Sequence, residues 1–120
     1  TDGSLRDSSL RNRLADHMMQ NKAAELAQKR AYEEGIAGVF DMRVAAIFKY
    51  AGTEAKKIKD ELILDIMGTT GVGWDLEQFS ADEHSKTYEW MSGKALTIAG
   101  GSSEVQLNLI SKKSLGLPES

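Results

Sequence analysis

Hydrophobic positions along this chain recur every three or four residues over long stretches, and almost nowhere do they alternate. From Phe40 through Val44, Ile47, Ala51, Ala55, Ile58, Leu62 and Ile66 the step never leaves three or four. That is the stripe of one helix face on a period of about 100° per residue, and it predicts a helix from near Val39 to Met67. Gly52 lies inside it and costs about 1 kcal/mol relative to alanine, but the stripe continues past it in phase. Upstream, Leu10, Leu14 and Met18, followed by Ala24, Ala27 and Ala31, predict a helix from about Leu5 to Glu34, with Gly35 as its stop and Gly38 loosening the turn.

Residues 68–81 break the pattern. Three glycines fall at Gly68, Gly71 and Gly73, too many for a stable helix, so a sharp reversal is expected with Trp74 and Phe79 pinning it to the core. A shorter helix is expected from Ala81 to about Ile98, with Tyr88, Met91, Ala95 and Ile98 facing inward and His84 at the surface. Ala99-Gly100-Gly101 then opens the chain. A last helix follows over Ser102 to Ser114, with Ser102 suited to an N-cap and Ser103 with Gln106 to a capping box. Val105, Leu107, Leu109 and Ile110 supply its apolar positions, and Gly116 and Pro118 end it. The expected fold is all-α, an up-and-down four-helix bundle occupying residues 1–120 as one domain.

Composition narrows the chemistry. In 120 residues there is one proline, which leaves long helices free to form, and there are no cysteines, which removes disulfides, thiolate metal sites and cysteine nucleophiles together. Two histidines, His17 and His84, are too few for a His-based metal cage. The formal charge of −3 argues against a free-standing nucleic-acid binder. No apolar run approaches the ~20 residues of a membrane span. Lys56, Lys57 and Lys59 lie off the second helix's stripe; a solvated face is the stronger reading and a phosphate site the weaker.

The most informative stretch is Gly100-Gly101-Ser102-Ser103-Glu104. Two glycines before a serine-capped helix start leave N–H groups free beside the positive end of a helix dipole, a place suited to a pyrophosphate or a polarised carbonyl oxygen, or to plain capping. The run Ile98-Ala-Gly-Gly-Ser-Ser-Glu-Val-Gln-Leu-Asn-Leu-Ile-Ser-Lys-Lys-Ser-Leu-Gly-Leu-Pro118 resembles the C-terminal signature of the flavin-dependent acyl-CoA dehydrogenases. In that family a Gly-(Thr/Ser)-Ser-(Glu/Gln)-(Ile/Val)-Gln run opens the last helix, and many members close on Leu-Gly-Leu-Pro. Asp65-Ile-Met-Gly-Thr-Thr-Gly71 falls where the family has a Gln-x-x-Gly-Gly-x-Gly loop, with Asp65 in place of glutamine and Thr69 in place of the second glycine.

The resemblance implies the C-terminal helical domain of such an enzyme, without the domain's first helix. It implies FAD as cofactor and the dehydrogenation of an acyl-CoA thioester to the 2-enoyl-CoA. By position, Ser102, Ser103 and Glu104 match residues that touch FAD, and Gly101 a residue beside the substrate thioester. Asp65, Gly68 and Thr69 match a loop reaching the FAD of a neighbouring subunit. The usual position of the catalytic base holds Gly100, which cannot accept a proton, so the catalytic residue is unknown. The implied partners are acyl-CoA and an acceptor like electron-transfer flavoprotein, in a homo-oligomer (dimer or tetramer). The implied compartment is the cytoplasm of a bacterium, or the mitochondrial matrix of a eukaryote. The start at Thr1 and the absent first helix lead to the expectation of a C-terminal fragment, inactive alone and prone to self-association through an exposed apolar groove. Two alternatives are a base-less partner subunit of a mixed dehydrogenase oligomer and a non-catalytic helical assembly module.

Overall fold

The computed structural model describes residues 6–74 and 77–118; Leu5, where the first helix was expected to start, and Asp75 and Leu76 of the expected loop lie outside them. Among the described residues every regular element is helical: α1 (Ser8–Ile36), α2 (Ala45–Met67), α3 (Ala81–Gly93) and α4 (Ser103–Leu109), with short 3-10 turns before and after α2 and after α3 and a π-helical turn, Ile110–Ser114, continuing α4. The all-α expectation holds.

Several helix ends have a visible cause. Asp7 caps α1, its carboxylate accepting from the N–H groups of Ser9 (2.8 Å) and Leu10 (3.0 Å). At the other end Val39 N–H donates to Glu34 O and Gly38 N–H to Gly35 O, while Gly38 takes φ +71°. This is a Schellman closure, in which glycine tolerates the left-handed backbone. The stop therefore falls three residues after the expected Gly35. Asp41 then caps a 3-10 turn at Met42–Val44, and α2 proper starts at Ala45 rather than near Val39. Gly52 leaves α2 unbroken. The glycines after α2 do not abolish helical structure: Gly68–Val72 forms a 3-10 turn, entered at Gly68 with φ +62°. Ser80 and Glu83 form a capping box at the head of α3 that the sequence reading overlooked.

Helix α2 is the axis. Helices α1, α3 and α4 all pack against it. Arg13 on α1 reaches Asp65 near the end of α2, so these two run antiparallel. Lys94 just beyond α3 reaches Glu61, and Ser103 at the head of α4 reaches Glu54. Ser114 donates to Arg43 O. Thus α3 lies along the C-terminal half of α2 and α4 along its N-terminal half, one after the other in the same direction.

The interior is narrow and unusually polar. Among described residues Leu62, at 2% exposure, is the one buried hydrophobic side chain, whereas His17, Thr53, Asp60, Thr87 and Gln106 are all buried. The surface is 8638 Å² and the radius of gyration 18.0 Å. A compact chain of this size would show about 6,400 Å² and about 13.6 Å.

Several expected inward faces are therefore revised. Tyr88, Met91, Ala95 and Ile98 are exposed, and Thr87 and Gly93 are the buried residues of α3. The reason is close approach: a Cβ at Gly93 would stand 2.9 Å from the Asp60 carboxylate, so the glycine lets α3 sit close against α2 there. Met18 is exposed and His17 takes the inward position on α1, bonded to Asn21 at 2.9 Å. Trp74 is not pinned to the core; it lies half-exposed over His84, ring centroids 5.2 Å apart. On α4, Val105, Leu107 and Leu109 face outward and Gln106 inward.

Candidate functional site

The turn between α3 and α4 is built by two glycines. Gly100 takes φ +69° and Gly101 φ +97°, conformations that a side chain would strain. Ser102 is the N-cap of α4, its hydroxyl accepting from Val105 N–H at 3.3 Å. The expected Ser103–Gln106 capping box does not form. Gln106 instead turns its amide back to donate to Gly100 O at 3.0 Å, and the Ser103 hydroxyl donates to Glu54 of α2 at 3.4 Å.

Ser102, Ser103 and Glu104 line one cavity of about 340 Å³, together with Tyr50, Lys57 and Thr97. Its polarity is mixed. Glu54 and Glu104 contribute carboxylates, and Lys57, 2.9 Å from Glu54, the one ammonium lining it. The Glu104 carboxyl accepts its own backbone N–H and, more weakly, the Ser102 hydroxyl, which hold it below the usual carboxylate range. The chain thus supplies its own anion to the head of α4. Among the N–H groups it leaves open are those of Gly101 and Ser102, which donate to nothing among the described residues.

Asp65, Gly68 and Thr69 sit elsewhere. Asp65 lies 16 residues beyond Lys49, the α2 residue that touches the Gly101 turn, so along the helix the two groups are about 24 Å apart. Asp65 and Gly68 line a second, larger cavity of about 680 Å³ between α2 and α3, where Leu64, Trp74, Trp90 and Met91 form apolar walls; Thr69 is not part of its lining. The indole N–H of Trp90 is buried there without an acceptor. The Asp65 carboxylate is neutralised by Arg13, whose Nη1 approaches Oδ2 to 2.6 Å. The structure brings Gly100, Gly101, Ser102, Ser103 and Glu104 together, and holds Asp65, Gly68 and Thr69 apart from them.

The lysine run of α2 is largely paired. Lys56 contacts the buried Asp60 at 2.7 Å and Lys57 contacts Glu54, so neither is a free phosphate ligand. Sequence reasoning missed Lys49, which donates to backbone carbonyls of this turn, because nothing in its own neighbourhood marks it. Among the described residues no group of three His, Cys, Asp or Glu could hold a metal ion, and no helix is long and apolar enough to cross a membrane.

The fold and these two polar-rimmed cavities define a helical domain organised around one long central helix. The family model of the acyl-CoA dehydrogenase C-terminal domain matches residues 3–115, and the chain belongs to that family of oxidoreductases, which is flavin-dependent in general. No match was found among curated proteins or among solved structures.

The donors present suit part of a flavin cofactor. Free amides at Gly101 and Ser102 and hydroxyls at Ser102 and Ser103 fit its uncharged hydrogen-bonding groups. They fit its pyrophosphate less well, because Glu54 and Glu104 line the same cavity.

Proposed function

We propose that this chain works as the C-terminal helical part of an FAD-dependent acyl-CoA dehydrogenase, which converts an acyl-CoA thioester to the trans-2-enoyl-CoA and passes electrons to an acceptor like electron-transfer flavoprotein. The observation that carries the reading is the family match together with Ser102, Ser103 and Glu104 meeting around one cavity beside two free amides. FAD, when bound, supplies the hydride acceptor. Ser102 and Ser103 offer hydroxyls to it, and the Gly101 backbone faces the thioester. Gly68, Thr69 and the neutralised Asp65 form a separate contact, whose distance from the first suits the flavin of a neighbouring subunit in a homo-oligomer. The catalytic base is not assigned to any residue of this chain. A bacterial cytoplasm or a mitochondrial matrix is the matching compartment.

The test is made on the full-length protein that carries this domain. Flavin absorbance in the purified protein and acyl-CoA-dependent dye reduction are expected; a colourless protein that stays inactive with added FAD defeats the reading.

Gly100 favours a second reading, a base-less partner subunit in a mixed oligomer. A Cβ at position 100 meets only Lys49 Cε, at 4.0 Å, so a side chain has room there, although φ +69° would strain it. Turnover of acyl-CoA by the protein purified alone, at rates normal for a dehydrogenase, excludes the partner role.

A further inference from the structure

Lys49 is a cation with only backbone partners. From the N-terminal half of α2 its Nζ donates to Gly101 O at 2.7 Å and to Leu96 O at 3.1 Å, bridging the two sides of the turn that precedes α4. No carboxylate among the described residues forms an ion pair with it. The third carbonyl of the turn, Gly100 O, is taken by the buried amide of Gln106. A Cβ on Gly101 would lie 2.8 Å from Gln106 Nε2, so the glycine makes room for that amide.

These contacts fix the other side of the same peptides. Among the described residues there is no cis peptide bond, so each N–H points opposite to the carbonyl bonded to it. With Gly101 O turned to Lys49, the Ser102 N–H faces away from α2, and with Gly100 O turned to Gln106, the Gly101 N–H faces away from that amide. An ammonium on the oxygen also polarises the peptide, and a polarised amide is a stronger donor at its nitrogen.

We propose that Lys49 is a positioning residue for the Gly100–Ser102 turn: its ammonium holds and polarises the Gly101–Ser102 peptide, so that the Ser102 N–H, beside the Gly101 N–H oriented by Gln106, is a preset donor to an acceptor oxygen outside the turn. Assigning that oxygen to the flavin or the thioester rests on the dehydrogenase reading above; the positioning itself does not.

The experiment compares wild type, Lys49→Met, Lys49→Arg and Lys49→Gln in the full-length protein, labelled with ¹⁵N at glycine and serine. Lys49→Met keeps the aliphatic stem and removes all donors; arginine restores a charge, and glutamine an uncharged amide donor. The expected result is an upfield move of the Ser102 amide proton in Lys49→Met, partly reversed in Lys49→Arg. Dehydrogenation by Lys49→Met should fall in kcat by roughly tenfold at unchanged KM, less than the loss when an oxyanion donor is removed outright. Unmoved amide shifts together with wild-type kcat overturn the proposal. So does a loss that only follows a lowered melting temperature and is not reduced by arginine. Should Lys49→Met fail to fold, the shift and kcat of Lys49→Gln decide in the same sense. A wild-type protein that binds no flavin defeats the dehydrogenase reading alone, since the amide shifts still judge Lys49.

Discussion

Arg13 and Asp65 meet at 2.6 Å across the α1–α2 interface, beside the glycine turn that closes α2. Both side chains remain about half exposed, so the pair contributes only about 0–1 kcal/mol to stability. Its larger effect is on charge. Without Arg13 a bare carboxylate faces any anion that approaches Gly68–Gly71. Arg13→Ala is therefore expected to leave the melting temperature nearly unchanged and to weaken flavin retention several-fold at low salt. Arg13→Ala combined with Asp65→Asn should recover it. Flavin occupancy by absorbance, measured against ionic strength, checks both.

Two glycines of that turn should respond differently to alanine. A Cβ at Gly71 would lie 2.6 Å from Leu64 O and 3.1 Å from Leu64 Cα, both backbone atoms that cannot step aside. At Gly68 there is open space, and the penalty is the left-handed φ of +62° alone. Urea unfolding should show Gly68→Ala costing about 1–2 kcal/mol and Gly71→Ala more. The reverse order would mean that the turn relaxes more easily than the helix it abuts.

Lys56 and Asp60 form the most buried ion pair among the described residues, with the carboxylate side chain only 2% exposed. Asp60 Oδ1 has no hydrogen-bond partner, so half of the carboxylate is already poorly served. Asp60→Ala is expected to destabilise by about 2–3 kcal/mol, somewhat under the range for fully buried pairs because Lys56 still reaches water. Replacing both, as Lys56→Met with Asp60→Leu, should recover most of that loss. Chemical denaturation of the two variants side by side is the measurement.

Glu83 sets an acid limit on α3. The Ser80 N–H and hydroxyl both donate to its carboxylate, which holds its pKa below the ordinary 4.5. A depressed folded-state value means that the contribution is present above the unfolded pKa and is lost as pH falls through the folded one. Helix α3 should therefore begin to lose its cap near pH 4.5 and lose it fully at lower pH. In Glu83→Gln the helical circular dichroism and melting temperature should depend less steeply on pH between 5 and 3, by about the spread expected for one carboxylate.

Much of the fold was legible because α2 carries its message in apolar spacing, and Leu62, its most buried residue, lies on the predicted stripe. The inward face of α3 was not, because Thr87 meets the turn after α2 by hydrogen bonding and Gly93 meets α2 by close approach, rather than by apolar bulk. Thr87 donates to Gly71 O at 3.2 Å, a contact that periodicity cannot register. His17 escaped for the same reason. At the site, the glycine pair and the Ser102 cap could be read directly, since each marks a local backbone demand. The roles of Lys49 and Gln106 could not. Lys49 acts on a carbonyl 52 residues away, and Gln106, at capping-box spacing from Ser103, turns its amide to Gly100 instead.

The polar interior also has a calorimetric consequence. Heat capacity rises on melting because hydrocarbon enters water, and a chain of 120 residues ordinarily gains about 1.4–1.8 kcal/mol/K. With Leu62 the one apolar side chain shielded among the described residues, this bundle melting by itself should gain distinctly less, and its free energy should vary only gently between cold and warm. Seating the open faces against further protein would steepen that curve, so differential scanning calorimetry reports directly on how much of the molecule's greasy exterior is covered in its working assembly.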